Sequence, residues 1–383
     1  MTGVNKKRIL IFSTAYLPYI GGAEFALKEL TDRLSDGFEF DLITAKMDKK
    51  LLDFEKVGNI NVYRIGNGGC LDKIRLVLSG YSLAKKLHEE HEYGLVFSLL
   101  ASYGGMLALR FKKKYSYVPF VVNLQEGRNF SKAGKIKMFI FKKIIKEADF
   151  VIAISNFLKG VALENGADER KIKIIPNGVD VEKFSRECPY REISELKDKL
   201  EIKPGDRIII SISRLTHKNA LDTLIKSMPF LADNYKLVLV GDGEDKSDLA
   251  VLVMKLNLSD RVIFTGSIDH DELPKYLKIS HVFARPSRSE GMGISFLEAM
   301  AAEIPVVATP VGGIIDFITD SETGVFCGVD DEESVAEKIK LLTENKELRD
   351  KIVRNAFSMV KERYDWDNIA KKYSEILTSF INE

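Results

Sequence analysis

The sequence predicts an α/β protein of two doubly wound, parallel-sheet domains facing each other across a cleft. Three observations carry this. Continuous apolar, β-branched runs alternate with amphipathic helical segments, as buried parallel strands and their crossover helices do. The alternation runs from residue 8 to about 180, pauses in a polar stretch, and restarts near Arg207. A length of 383 residues exceeds what one hydrophobic core usually holds.

In chain order, "RILIFS", "FEFDLITA", "LVFSLL", "FVVNLQ", "FVIAIS" and "KIIPNG" read as strands of the first domain, residues 1–185. "FSRECPYREISELKDKLEIKPGD" is rich in charge and proline, and reads as the connection, with the linker proper at 186–206. "RIIISIS", "KLVLVGDG", "RVIFTG", "HVFARPS" and "PVVATPVGG" read as strands of the second domain, 207–362. Residues 363–383 read as a C-terminal helix that returns to the first domain and carries the single tryptophan, Trp366.

Composition narrows the class. Hydrophobic residues at 45% and charged residues at 30% describe a globular chain. The apolar part of "KKRILIFSTAYLP" spans only about five residues, too few for a signal peptide. No run approaches the roughly 18 apolar residues of a membrane span. Cys70, Cys188 and Cys327 form no metal spacing and no disulfide framework, which points to a reducing, cytoplasmic setting. The net charge of +1 hides an asymmetry: residues 101–150 hold 11 basic and 3 acidic side chains. Near-neutral charge without interleaved aromatics argues against nucleic acid.

In open α/β sheets ligands bind beyond the carboxyl ends of the strands. After the first strand, Gly21 and Gly22 open a helix; they form either a tight turn or a seat where an anion approaches backbone N–H groups. After the first strand of the second domain, Arg214 and Lys218 lie in a short loop. They are either solvated cations or a diphosphate clamp, Arg as a fork and Lys as a point charge. "SEGMGISFLE" places Glu290 before a Gly-Met-Gly turn and Glu298 about four residues into the following helix, roughly 6 Å further along. Gly291 and Gly293 free backbone N–H groups at the helix start, while a carboxylate accepts two hydroxyl hydrogen bonds, as a ribose diol offers. The two glutamates thus suit opposite ends of one nucleotide-sugar.

Eight stretches in order, "GGAE", "IIPNGVD" with Phe184, "SRLTHK", "LVGDGEDKSDL", "VIFTGSI", "PSRSEGMGISFLEAMA", "PVVATPVGG" and "SETGV", resemble a retaining family-4 (group 1) glycosyltransferase of the GT-B fold, two Rossmann-like domains about a cleft. The resemblance covers nearly the whole chain. It implies transfer of a hexose-type sugar from a UDP- or GDP-sugar to a hydroxyl of a glycan or lipid-linked acceptor, with retention, in cell-surface polysaccharide or glycolipid synthesis. It implies catalytic roles for Glu290, Arg214 and Lys218. Donor binding would fall to Gly21, Gly22, Gly241, Gly266, Met292, Gly293, Ile294 and Glu298, with Glu290 on the sugar and Glu298 on the ribose. Gln125, Glu126 and Asn177 would lie on the acceptor side. No metal or other cofactor is expected, because Arg214 and Lys218 neutralise the leaving diphosphate.

The chain departs from the family at informative points. Lys218 follows Arg214 by four residues, where five is commonest and this chain has Asn219. Gln125-Glu126 stand where many members have His-Asp. Glu303 replaces a common glycine, and Ile315-Asp316 replace Pro-Glu. Asp269-His270-Asp271 mimics a D-x-D metal motif but reads as the start of the helix "DELPKYLKIS"; "DDEES" reads likewise as a helix start. The segment 132–146 sets Lys132, Lys135, Lys142, Lys143 and Lys146 among Ile136, Phe139, Ile140, Ile144 and Ile145. Such a helix either packs on the sheet with its lysines in water or lies on an anionic membrane. Two other readings use the same scaffold: a nucleotide-sugar epimerase, and a non-enzymatic nucleotide-binding module.

Overall fold

The computed structural model describes residues 6–19, 21–125 and 134–382. The chain divides into two compact units, Met1–Asn177 with Trp366–Glu383, and Gly178–Asp365.

The first unit is built on eight strands: β1 (Lys7–Phe12), β2 (Phe38–Ala45), β3 (Phe54–Val57), β4 (Ile60–Ile65), β5 (Leu95–Leu99), β6 (Phe120–Leu124), β7 (Phe150–Ala153) and β8 (Ile172–Ile174). Their order across the sheet is β3-β4-β2-β1-β5-β6-β7-β8. Every pairing is parallel except β3 with β4. The apolar runs are buried on both faces, Leu10, Phe12, Val96 and Val122 on one and Ile9, Ile11, Phe97 and Val121 on the other. Crossover helices supply the covering side chains, including Leu76, Leu107, Phe111 and Ile144.

Helix Trp366–Asn382 completes this unit. It packs on helix Gly22–Arg33, buries Trp366 to 2% exposure and pairs Asp367 with Arg33 at 3.1 Å. The Tyr373 hydroxyl accepts from Asn123 Nδ2 at 2.9 Å, deep in the sheet. Phe380 packs edge-on against Phe150.

The second unit has six parallel strands: β9 (Arg207–Ile212), β10 (Tyr235–Val240), β11 (Val262–Gly266), β12 (Val282–Arg285), β13 (Val306–Ala308) and β14 (Val325–Phe326). They lie in the order β11-β10-β9-β12-β13-β14. The chain winds outward from β9 in one direction and from β12 in the other. The carboxyl ends of these two central strands are therefore the point where ligands bind in such sheets.

The boundaries differ from those expected. The first break falls at Asn177–Gly178, because Val179 N–H donates to the Tyr364 carbonyl at 2.8 Å and Phe184 is fully buried within the second unit. The second falls after Asp365 for the same reason. The stretch 186–206, expected as a linker, belongs to the second unit: Tyr190–Lys199 is helical, buries Leu196 and joins Glu192 to Lys275 at 2.8 Å. The strand expected at "KIIPNG" is the short edge strand β8, which ends by Ile174; Ile175 N–H still bonds the Ala153 carbonyl at 3.0 Å, and Pro176 offers no N–H to carry the ladder further. The hairpin β3–β4 and the two-residue β14 were not expected.

Trp366→Ala should destabilise the first unit by about 3–5 kcal/mol, the cost of emptying a large buried aromatic site. Urea unfolding followed by far-UV circular dichroism reads this directly.

Candidate active site

At the carboxyl end of β9 the chain turns through Ser213–Ala220. Asn219, only 2% exposed, donates from Nδ2 to the Arg214 carbonyl at 2.6 Å and locks the loop. Ala220 closes it in the left-handed region at φ 51°. Asn219 therefore holds the backbone, and Lys218 is the cation that reaches the loop after β12. Its Nζ lies 3.4 Å from Glu290 Oε2. Arg214 stands exposed on the same loop.

The segment after β12 meets this loop. Arg288 N–H donates to the Lys218 carbonyl at 2.7 Å. The Arg288 guanidinium forks onto Asp222 at 2.9 and 2.8 Å and reaches Asp330 at 2.6 Å. Burial would raise the Asp222 carboxyl, but Arg288 outweighs it and holds Asp222 below its ordinary range. The Glu290 carbonyl accepts from Gly313 N–H at 3.1 Å. Gly312 comes so close that a Cβ there would sit 1.9 Å from that same carbonyl oxygen, so the Gly-Gly of "PVGG" serves backbone contact.

Glu290 itself is 8% exposed. Arg285, at the end of β12 and 5% exposed, donates to Glu290 Oε2 at 3.0 Å and to Ser295 Oγ at 2.9 Å. It lies over the Phe296 ring, 4.3 Å from the centroid. Gly291 N–H donates to Glu290 Oε1 at 2.9 Å. Burial pushes the Glu290 carboxyl up, yet Arg285, Lys218 and the Gly291 N–H together bring it below its usual value. Gly293 is left-handed at φ 92°, and a Cβ there would strike the Arg285 guanidinium at 2.5 Å. Helix Ile294–Ala301 starts immediately after, with Met292 buried beneath the turn.

Glu298 lies inside that helix at 4% exposure. Its Oε1 is 2.7 Å from His270 Nε2, and His270 Nδ1 is 2.8 Å from Lys183 Nζ. Asp269-His270-Asp271 is therefore not simply a helix start: the helix begins at Leu273, Asp269 closes the preceding turn on Asp271 N–H at 2.9 Å, and Asp271 pairs with Lys183. "DDEES" does begin a helix, with Asp331 capping Ser334 N–H at 2.9 Å. Gly241 and Gly266 meet through a backbone hydrogen bond of 2.9 Å, and Gly241 approaches the Ser213 carbonyl so closely that a Cβ would lie 2.0 Å from its oxygen. Among the described residues no group of three or more His, Cys, Asp or Glu could hold a metal ion.

In the first unit, Gly22 opens helix Gly22–Arg33, but the Gly21 N–H is already engaged with Glu24 Oε2 at 2.9 Å. Gln125 and Asn177 are joined: Asn177 Nδ2 donates to Gln125 Oε1 at 2.9 Å, and Gln125 Nε2 to Asn123 Oδ1 at 2.6 Å. Glu126 and Lys132 lie outside the described residues.

The structure thus brings Lys218, Glu290 and the Gly291–Ile294 turn together, and sets Glu298 one helical turn beyond. Sequence reasoning missed Arg285, Arg288, His270 and Lys183. A charged residue closing an otherwise apolar strand was the available signal for Arg285. The Lys183–His270 contact spans 87 positions and has none.

Two family descriptions match the chain: "Glycosyltransferase Family 4" over residues 20–183 and "Glycosyl transferases group 1" over 192–359. An uncharacterised glycosyltransferase of Methanocaldococcus jannaschii is 28% identical over 99% of this chain and 100% of its own length. The GDP-mannose-dependent alpha-(1-6)-phosphatidylinositol monomannoside mannosyltransferase of Mycobacterium tuberculosis is 28% identical over 62% of this chain and 64% of its own. The crystal structure of Anabaena HepE in complex with UDP-glucose superposes with a TM-score of 0.83 at 22% identity, covering 97% of this chain and 99% of that one.

Glu290→Ala leaves the Arg285 charge buried and unpaired, which should cost about 3–5 kcal/mol of stability; Glu290→Gln, whose amide oxygen still accepts, should cost less. Because the folded carboxyl lies below its usual value of 4.5, its contribution is complete above that pH and is lost as pH falls through the lower folded value. Urea midpoints measured from pH 7 downward should therefore fall less steeply below about pH 4.5 in Glu290→Gln than in the parent.

Proposed function

We propose, for a chain that belongs to the group 1, family 4 glycosyltransferases and takes the GT-B fold, that it moves a hexose-type sugar from a UDP- or GDP-sugar to a hydroxyl of a glycan or lipid-linked acceptor, with retention and without a metal ion. The observation that carries this is the placement of Lys218 against a buried, ionised Glu290 at the carboxyl ends of the two central strands of the second unit.

In the reaction the bond from sugar C1 to the β-phosphate oxygen breaks. The acceptor oxygen bonds to C1 on the same face and its proton passes to the departing phosphate oxygen, so that a nucleoside diphosphate leaves. Negative charge grows on the diphosphate, where Arg214, Lys218 and the N–H groups of Met292 to Ile294 are arranged to receive it. Asn219 and Arg288 fix the backbone of the loop that carries the two cations, which limits how far that loop must reorganise as the charge develops. Glu290, held ionised, is a hydrogen-bond acceptor for a sugar hydroxyl rather than an acid. Glu298 takes the ribose diol. The donor class is supported by the mycobacterial enzyme's dependence on GDP-mannose and by HepE's complex with UDP-glucose.

Thermal shift with UDP-, GDP- and ADP-sugars should select one donor, and product analysis against lipid acceptors should detect transfer. With that donor, Arg214→Ala and Lys218→Ala should each lower kcat by about 10²–10³-fold with the circular dichroism spectrum unchanged, and EDTA should leave turnover intact. Full turnover in both variants would overturn the reading.

A lipid-linked acceptor is supported by the first unit's surface and by the phosphatidylinositol named in the mycobacterial enzyme. Helix Lys135–Glu147 buries Phe141, Ile144 and Ile145 against the sheet. Its first turns instead expose Ile136 at 78% and Phe139 at 66%, among exposed Lys135, Lys137, Lys142 and Lys143. No helix among the described residues is long and apolar enough to cross a membrane; the contact proposed is peripheral. Lys142→Glu/Lys143→Glu should weaken sedimentation with phosphatidylglycerol vesicles by about tenfold or more and leave phosphatidylcholine unaffected; unchanged binding to both removes the membrane contact.

A further inference from the structure

Glu298 is not placed by its own helix alone. Lys183 is an ammonium and can only donate. The nitrogen it meets at 2.8 Å, His270 Nδ1, must therefore accept. His270 then carries its ring proton on Nε2, which faces Glu298 Oε1 at 2.7 Å. Phe184, fully buried, packs edge-on against the imidazole at 5.4 Å between centroids, and Lys183 is itself anchored by Asp271. One carboxylate oxygen of Glu298 is thus occupied from within the protein, and the carboxylate plane is set by a ring that cannot rotate freely.

We propose that His270, with its tautomer selected by Lys183, is a positioning residue that aims the free lone pairs of Glu298 at the ribose hydroxyls of the nucleotide. The inference rests on the reading that Glu298 holds the ribose. A carboxylate free to rotate about its last bond accepts the two hydroxyls of a diol in only part of its orientations. One clamped from the side keeps the accepting geometry before ligand arrives, and so spares the ordering cost on binding. It also explains why Asp269-His270-Asp271 occupies the loop after β11: the first aspartate shapes the turn, the histidine faces the site, and the second aspartate anchors the lysine.

The test compares two probes on the intact chain: UDP (or GDP, if it binds more tightly) and the 2′,3′-dideoxy form of the same nucleotide, by titration calorimetry. The parent should prefer the ribonucleotide by about tenfold or more, since charged-group hydrogen bonds are lost with the hydroxyls. His270→Leu should lose most of that preference by weakening the ribonucleotide while leaving dideoxy affinity unchanged. His270→Gln, whose amide can accept from Lys183 and donate to Glu298, should restore much of it. Lys183→Met should give an intermediate loss. Retention of the full preference in His270→Leu overturns the proposal; so does equal weakening of both probes, which marks a merely structural residue. Glu298→Gln serves as the separate check. If it keeps the parent's preference, the ribose assignment itself fails; if it loses the preference while His270→Leu keeps it, only the positioning role fails.

Discussion

The ion pair between Arg285 and Glu290 is the constraint on which the second unit's binding edge depends. Both groups are withdrawn from water, and each alone would carry a desolvation cost of several kcal/mol. Their proximity, the Gly291 N–H and the Ser295 hydroxyl together make the arrangement tolerable. The consequence is geometric. The turn from Ser287 to Gly293 cannot shift without separating buried charges, and Gly293 must lack a side chain because the guanidinium fills the space a Cβ would occupy. Such pairs are weak evidence of net stability against an apolar alternative, but they select one conformation sharply. Here that conformation presents the backbone of a helix start and a cation at the same edge.

A second tier of contacts makes the two loops at that edge one rigid piece. Arg288 reaches across to Asp222 and Asp330, its backbone N–H holds the Lys218 carbonyl, and Asn219 ties the loop's far side to Arg214. Asn219 is buried at the inner side of the loop. It stiffens the loop from within, while Lys218, one residue earlier, occupies the space beside Glu290. Ala220 then closes the loop in the left-handed region.

Most of the fold was legible because parallel strands buried on both faces are apolar along their whole length. The elements that escaped are those without this signature. β3 alternates in exposure along an edge, β14 is two residues long, and the Gly58–Asn59 turn between β3 and β4 is recognisable only once both flanking strands are accepted. Of the candidate site, Glu290, Glu298 and Lys218 were legible because glycines, strand end and helix start fall around them in a fixed order. Arg285 closes β12, and its charge at the end of an apolar strand was a signal left unread. The acidic neighbours of His270 suggested a helix start, while its true partners come from a five-residue helix far earlier in the chain and from Glu298. Pairings of that kind are set by topology, and spacing along one segment does not encode them. Domain boundaries were misplaced for the same reason: a charged, proline-containing stretch reads as a connection whether or not Leu196 finds a core to enter.

Helix Trp366–Asn382 gives the chain an unusual architecture of order. The first unit's sheet is spelled out before residue 178, but the helix that covers Asn123 and buries Trp366 comes last. Topologically, the second unit is an insertion within the first. A ribosome releases all the strands of the first unit while one apolar flank is still missing, and a nuclease or recombination event that exchanges the inserted module for another must act at two junctions, not one. Those junctions are side by side, because Val179 is bonded to Tyr364. A replacement module with neighbouring ends could therefore enter without disturbing the host sheet.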